Sequence, residues 1–261
     1  MTNQGRIITE LDGRVLLIGI DRTAKRNGFS LKMLRELALA FTRLQEDPQA
    51  RCGLVYAEGA HFTAGLQLDQ VGPHMAAGNP VFPPGTIDPM SLRPPLRDKP
   101  VVAAVQGICF TLGIELMLAC DIVIAADDCR FAQIEVKRGI MPTGGATMRF
   151  VERAGWGNAQ RYLLTGDEFD AREAYRLGFV QEIVAPGVQK ARALAIARSI
   201  ARQAPLAVRA SLASSQRYVD RGPVGMAAEM DETQRVLSQS ADAAEGLRSF
   251  VERREANFEG H

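Results

Sequence analysis

Short apolar blocks that alternate with helical periodicity constrain the fold of this chain most. Residues 14–20 form an apolar block suited to a buried strand. From Leu31 to Leu44, apolar residues recur every three or four positions, which predicts a helix with Ser30 as its N-cap and a stop at Asp47-Pro48. Strands that alternate with helices indicate an α/β fold with covered sheets. Three further blocks are typical of strands: residues 53–57, 101–105 and 122–126.

The second half of the chain is more helical. Asp170-Ala-Arg-Glu173 fits a capping box, and Gly178 ends the short helix that it begins. Residues 179–184 indicate one more strand. We therefore predict an α/β core over residues 1–187 and a helical region over residues 188–261.

Composition limits the classes of partner. The 261 residues include 31 basic and 30 acidic side chains, and the basic residues are dispersed. A formal net charge of +1 predicts no nucleic acid partner and no attraction to an anionic membrane surface. The absence of an apolar stretch of roughly 20 residues predicts no membrane span, and no N-terminal signal is visible, so we expect a cytoplasmic protein.

The four cysteines indicate free thiols. None of them forms a CxxC pair, and all four stand in apolar surroundings. Buried free thiols in a reducing compartment explain them better than disulfides, and no residue spacing predicts a metal site.

A proline-rich segment occupies residues 73–100. Eight of the thirteen prolines fall between Pro73 and Pro100, which excludes regular structure over most of that segment. Loops of this length inside compact domains are lids, binding loops or disordered connectors. Its position directly after an Ala64-Gly65 turn favours a lid or substrate loop, and a mobile surface insert remains the alternative.

Two glutamates stand in apolar runs where carboxylates are rare. Glu115 lies near the start of a predicted helix that is apolar on nearly all sides, and such a helix is buried. Glu135 follows Phe131 in another mostly apolar run, before a Gly/Pro turn. Each glutamate alone is better explained by a structural role, such as capping its own helix or pairing with an arginine. Together, on elements that can converge across a cleft, they indicate a general acid–base pair.

Such a pair requires a group that stabilises the negative charge it generates. The first N–H groups of the Glu115 helix have no partner within the helix and lie at the positive end of its dipole. The turn Ala64-Gly65-Leu66 offers a second N–H donor. A thioester oxygen held between them would lie in an oxyanion hole.

These residues resemble the crotonase, or enoyl-CoA hydratase/isomerase, family over residues 6–258. Several motifs in the right order and spacing are more specific than any single one. The motifs are Arg22-Thr-Ala-Lys-Arg-Asn27, Phe62-Thr-Ala-Gly65, Val105-Gln-Gly107, Gly113-Ile-Glu115, Ala119-Cys-Asp121, Phe131-Ala-Gln-Ile-Glu135 and Phe250-Val-Glu-Arg-Arg254.

The resemblance implies a fold and a set of roles. The fold is an α/β spiral of ββα turns, with a C-terminal helical region that builds homotrimers, commonly paired into hexamers. The substrate is an acyl-CoA thioester, with no cofactor beyond the coenzyme A of the substrate. Glu115 matches the carboxylate that activates water, Glu135 matches the one that protonates Cα, and the N–H groups of Leu66 and Leu112 match the oxyanion pair. The implied CoA- and substrate-binding residues are Ala24, Lys25, Arg26, Ala64, Gly65, Gln67, Leu68, Asp69, Gly113 and Thr143.

Four positions depart from the family pattern. Thr111-Leu112-Gly113 replaces a glycine triplet, Ile134 replaces a proline, Thr143 replaces a glycine, and Gln67 stands where relatives are often acidic. The first hypothesis is hydration of 2-enoyl-CoA to 3-hydroxyacyl-CoA. The alternatives are isomerisation of the double bond or another acyl-CoA reaction, and a catalytically silent CoA-binding protein.

Overall fold

Two β-sheets organise the chain in the computed structural model, which describes residues 4–261. The strands are β1 (Arg6–Asp12), β2 (Val15–Asp21), β3 (Cys52–Ala57), β4 (Val101–Val105), β5 (Ile108–Phe110), β6 (Ile122–Ala126), β7 (Arg130–Ala132), β8 (Phe169–Asp170) and β9 (Glu182–Val184). The helices are α1 (Leu31–Glu46), α2 (Leu68–Ala76), α3 (Leu112–Ala119), α4 (Ala146–Ala154), α5 (Trp156–Thr165), α6 (Ala171–Arg176), α7 (Gln189–Ala201), α8 (Pro205–Arg221), α9 (Met226–Leu237) and α10 (Ala241–Glu252).

The larger sheet has six strands in the order β1-β2-β3-β4-β6-β9. β1 and β2 form an antiparallel hairpin, and the other neighbours are parallel. Parallel strands buried on both faces are near-continuous apolar runs, which is why β2, β3, β4 and β6 were predictable from the sequence. The structure confirms the predicted α/β class.

The smaller sheet has the order β5-β7-β8, with β5 and β7 parallel. Parallel strands end at the same edge of a sheet, so the chain leaves β5 and β7 side by side. The N–H of Thr111, directly after β5, donates to the carbonyl of Ala132 at the end of β7 (2.9 Å). From this edge, one chain segment continues into α3 with Glu115 and the other into a 3₁₀ turn, Glu135–Arg138. The sheet thereby brings the two glutamates together.

Both faces of the larger sheet are covered. On one face, α1 and α3 contribute to the main core with residues such as Phe41 and Leu116. On the other face, α7 packs through Ala193, Ala197 and Ala201 against Leu54 and other residues of the sheet. Small side chains at this spacing allow the helix axis to approach the strands closely. The division at residue 188 remains a prediction, and α7, beyond it, covers the sheet.

Local signals for helix ends are confirmed. The Ser30 hydroxyl accepts the N–H of Met33 (3.3 Å), and α1 ends at Glu46. Asp170 accepts the N–H of Glu173 (2.8 Å) as the N-cap of α6.

Strand bounds differ from the predictions at two places. β9 is shorter than the predicted 179–184, because Phe179 and Val180 are buried by packing and do not extend the ladder. β1 was not predicted, because its residues are half-buried or exposed and lack a continuous apolar run.

The proline-rich segment is irregular, as predicted, except for the last turn of α2, which contains Pro73. No helix or strand is found between residues 77 and 100. The carboxylate of Asp88 organises this segment by accepting the N–H groups of Met90 (2.8 Å), Leu92 (3.2 Å) and Arg93 (3.0 Å). Ile87 and Met90 anchor it in the main core.

The four cysteines are free and buried, as expected. Across residues 4–261, no helix combines the length and apolarity that a bilayer crossing requires. Within that same range, no group of three or more His, Cys, Asp or Glu side chains has an arrangement suited to a metal ion.

Candidate active site

The cavity that contains both glutamates has a volume of about 880 Å³. Its walls come from α2, the start of α3, the 3₁₀ turn at Glu135 and the loop before α4. Most of its lining is apolar, so charged groups inside it are poorly solvated. The lining residues are Ala64, Leu66, Leu68, Gly72, Met75, Ala76, Thr111, Leu112, Glu115, Ile134, Glu135, Val136, Arg138, Gly139, Ile140, Met141 and Thr143.

Glu115 is held by backbone donors. It lies in the first turn of α3 and is only 4% exposed. Its Oε1 accepts the N–H of Gly144 (2.6 Å) and the N–H of Ala146 (3.3 Å). A side chain at position 144 would overlap the Glu115 carboxylate, so only glycine permits this approach. The arrangement fixes the carboxylate and leaves its other oxygen for a ligand.

Opposing effects act on the pKa of Glu115. Burial raises this pKa above its ordinary value, while the N–H groups of Ala146 and Gly144 and the charge of Arg149 act to lower it. Burial is the larger effect, so the pKa of Glu115 is raised overall, and the donors limit this rise by favouring the ionised form that a general base needs.

Glu135 has fewer donors. Gln133, which is fully buried, donates from Nε2 to Glu135 Oε1 (3.1 Å). Glu135 Oε2 is buried and has no hydrogen-bond partner within the described chain. Burial is the main cause that raises the pKa of Glu135 to about 7; its own backbone N–H acts to lower this pKa, and the charge of Glu115 makes a smaller contribution that raises it. This carboxyl is therefore substantially protonated at neutral pH and can act as an acid.

Two backbone N–H groups at the cavity wall are unused. In the bridge between Phe29 and Leu66, hydrogen bonds go from Phe29 N–H to Gly65 and from Gln67 N–H to Phe29, which leaves the Leu66 N–H free. The N–H of Leu112 is the first of α3. Among residues 4–261, neither N–H has an acceptor. They are suited to bind an oxyanion.

The predicted site residues fall into three groups. Seven of them line the cavity: Ala64, Leu66, Leu68, Leu112, Glu115, Glu135 and Thr143. Four are neighbours in sequence that lie behind or beside its wall: Gly65, Gln67, Asp69 and Gly113. Three lie outside the cavity: Ala24, Lys25 and Arg26.

The outlying group is connected to the site through the backbone. Arg26 accepts the N–H of Ala64 on its carbonyl (2.9 Å), so the 3₁₀ turn Thr23–Lys25 is adjacent to the Leu66 turn. Lys25 and Arg26 are exposed, and neither forms an ion pair with a described residue. Two free cations near the cavity are suited to phosphate groups.

A second chamber, of about 500 Å³, adjoins the first. The two share Leu66, Met75, Leu112, Glu115 and Thr143. The rest of its wall comes largely from residues 78–94 of the proline-rich segment, including Val81 and Phe82. The segment thus encloses space directly next to Glu115. This position is the one expected of a lid or substrate loop.

Sequence reasoning missed the groups that position the glutamates. The N–H donors of Gly144 and Ala146 are backbone atoms, which residue type does not reveal. Arg149 was not predicted either. It donates to the carbonyls of Gly144 (3.2 Å) and Met90 (2.6 Å), and these hydrogen bonds connect the glycine turn to the proline-rich segment. Gln133 stood in a quoted motif, and its spacing of two residues from Glu135 was the available signal.

Comparisons with known proteins identify close relatives. A sequence model of the enoyl-CoA hydratase/isomerase family matches residues 10–261. The enoyl-CoA hydratase EchA19 of Mycobacterium tuberculosis is 32% identical over 256 residues, which is 97% of this chain and 96% of the relative. Crotonyl-CoA hydratase of Syntrophomonas wolfei is 32% identical over 271 residues, or 97% of each chain. The crystal structure of a probable enoyl-CoA hydratase/isomerase from Mycobacterium abscessus superposes with a TM-score of 0.94 at 47% identity, covering 98% of each chain.

Proposed function

The chain belongs to the enoyl-CoA hydratase/isomerase family, and we propose that it hydrates 2-enoyl-CoA thioesters with Glu115 and Glu135 as its acid–base pair. The observation that carries this mechanism is the pair of buried carboxylates, with unequal donor sets, in one cavity beside two free backbone N–H groups.

Each group has a defined step. Glu115 removes a proton from a water molecule as the water oxygen bonds to Cβ of the enoyl group. The electrons of the double bond move toward the thioester, whose oxygen the N–H groups of Leu66 and Leu112 stabilise. Glu135 then delivers its proton to Cα, which yields 3-hydroxyacyl-CoA. The enzyme is therefore a hydro-lyase.

The two carboxylates differ in a way that supports this assignment. Glu115 accepts two N–H groups, which favour its anion, and Glu135 is protonated up to about neutral pH. Carboxyl groups whose environments differ in this way take the base and acid roles respectively. The reaction changes no overall oxidation state, so we propose that coenzyme A, as part of the substrate, is the sole cofactor.

The CoA moiety is assigned to the side of the cavity nearest the Thr23–Lys25 turn. Lys25 and Arg26 would pair with its phosphates, and the turn from Ala64 to Asp69 would follow the pantetheine. The support is the free charge of both cations and the hydrogen bond between Ala64 and Arg26. The acyl tail would extend past Glu115 into the second chamber.

A homotrimer or hexamer is proposed as the assembly. The support is a set of large apolar side chains exposed on the C-terminal helices and their connections: Val219, Val224, Met230, Val236, Leu247, Phe250 and Val251. Apolar side chains exposed together on neighbouring elements are typical of a surface that another chain covers. A reducing, cytoplasmic setting agrees with the four free thiols.

Product analysis tests the proposed reaction. The purified protein is incubated with crotonyl-CoA and longer 2-enoyl-CoAs, and with a 3-enoyl-CoA, and the products are separated. We expect 3-hydroxyacyl-CoA from the 2-enoyl substrates. Conversion of the 3-enoyl substrate without any hydration would instead identify an isomerase, and binding without turnover would identify a silent CoA-binding protein.

A further inference from the structure

Thr111 has a backbone conformation that its side chain disfavours. It lies at φ 49° and ψ −116°, at the N-cap of α3. Four other non-glycine residues in the described chain have a positive φ, and none of them is β-branched. A β-branched residue at positive φ is a steric outlier that persists only where its surroundings impose it.

The backbone at this position is fixed by the site. The Thr111 N–H donates to Ala132 (2.9 Å), and its carbonyl accepts the N–H groups of Ile114 (2.9 Å) and Glu115 (3.2 Å). This turn directs the N–H of Leu112 toward the cavity. Glycine would adopt the same backbone conformation without steric strain. The turn alone therefore does not explain why position 111 is a threonine.

The Thr111 hydroxyl lies between the two turns that present the oxyanion donors. A side chain at Gly65 would overlap Thr111 Oγ1, so the hydroxyl rests against the residue that precedes Leu66. Thr111 itself precedes Leu112. Both Thr111 and Glu115 line the cavity.

This hydroxyl is available to a ligand. None of the hydrogen bonds within residues 4–261 involves Thr111 Oγ1, and Thr111 lines a mainly apolar cavity. In such surroundings, a ligand that accepts a hydrogen bond from this hydroxyl binds more favourably than one that leaves it without a partner. A hydroxyl donor beside two backbone N–H groups that have no acceptor is suited to an oxygen atom that becomes negative.

We propose that Thr111 is a catalytic residue whose hydroxyl donates a third hydrogen bond to the thioester oxygen, beside the N–H groups of Leu66 and Leu112. The assignment rests on the proposed hydration reaction. The bond strengthens as the oxygen becomes enolate-like, so it lowers the barrier more than it tightens substrate binding. No proton is transferred to or from Thr111.

Three variants separate the hydroxyl from the strain. Thr111→Val keeps the β-branched shape and removes the donor, Thr111→Ser keeps the donor, and Thr111→Gly removes both donor and strain. We expect the valine and glycine variants to lose kcat on the order of 10- to 100-fold, with KM nearly unchanged. The serine variant should stay near the wild-type rate. The glycine variant should melt at a higher temperature than the wild type.

Vibrational spectroscopy supplies a readout that a structural role would not change. The carbonyl stretch of a bound, isotopically labelled enoyl thioester should move to higher frequency in Thr111→Val and remain in place in Thr111→Ser. Wild-type kcat in the valine variant, or equal losses in the valine and serine variants, would overturn the proposal. These comparisons take the hydratase activity of the wild type as their reference, so a negative result rejects the role of Thr111 and not the proposed function. The proposed function would be rejected instead if the wild type were inactive toward every enoyl-CoA.

Discussion

At the scale of single residues, environment distinguishes two chemically identical side chains. Glu115 receives two backbone N–H groups, whereas Glu135 receives one side-chain amide and keeps a buried oxygen without a partner. The difference arises from the loop before α4, which reaches Glu115 and not Glu135. These environments support the roles that the family resemblance implies, a base at Glu115 and an acid at Glu135.

The pH profile follows from this difference. Hydration by the free enzyme requires Glu115 ionised and Glu135 protonated, so kcat/KM should form a bell. Because Glu135 has a pKa of about 7, the rate should fall as the pH rises above that value; it should also fall in acid as Glu115 is protonated. The two groups interact, so the limbs report the pair. A kcat/KM that keeps rising well above pH 7 would contradict the acid role of Glu135.

Stability should vary with pH for the same reason. The folded-state pKa of Glu135 is raised from 4.5 to about 7. As the pH rises through this interval, the unfolded chain releases its proton first, so ionisation favours unfolding. Glu135→Gln removes this pH-dependent loss of stability. The melting temperature of the variant minus that of the wild type should therefore increase between pH 4.5 and about 7 and then stay constant. Glu46→Gln, at an exposed position, is the control; a pH-independent difference for Glu135→Gln would refute the raised pKa.

At the scale of elements, the buried parallel strands of the larger sheet were predictable, whereas its edge strand β1 and the strands of the smaller sheet were not. β4 is a continuous apolar run, which is diagnostic of a buried parallel strand. β5, β7 and β8 have two or three residues each, too few to show any periodicity. The smaller sheet nevertheless positions both glutamates. Sequence therefore singles out the two glutamates of the cavity, which are unusual in their apolar surroundings, more readily than the backbone that holds them.

The proline-rich segment supports a prediction about the acyl chain. Asp88→Ala removes the acceptor of three backbone N–H groups and should loosen the wall of the second chamber. If the acyl tail occupies the second chamber as proposed, a long chain contacts more of this wall than a short one, so we expect kcat/KM to fall more for dodecenoyl-CoA than for crotonyl-CoA. Leu96→Ala is the matched control, since Leu96 is an exposed position of the same proline-rich segment that lines neither chamber. Equal losses for both substrates would show that the segment does not contact the acyl chain.

At the scale of the whole molecule, the exposed apolar side chains of the C-terminal helices predict self-association. Light scattering should give a mass of three or six chains. Phe250→Asp introduces charge at a side chain that is 82% exposed in the single chain, so it should dissociate the assembly with little effect on the fold of each chain. Val188→Asp, a charge at another exposed apolar position outside that set, is the control. A wild-type protein that is monomeric at all concentrations would exclude the proposed assembly.

The central claim is that two glutamates act as one catalytic unit, and the kcat for hydration of crotonyl-CoA in a double-mutant cycle tests it most directly. Glu115→Gln and Glu135→Gln should each lower kcat by about two to four orders of magnitude, because each removes one proton transfer. The double variant should be far less impaired than the product of the two losses, since residues that act as a unit are not additive. A wild-type kcat in either single variant, in correctly folded protein, would contradict the account.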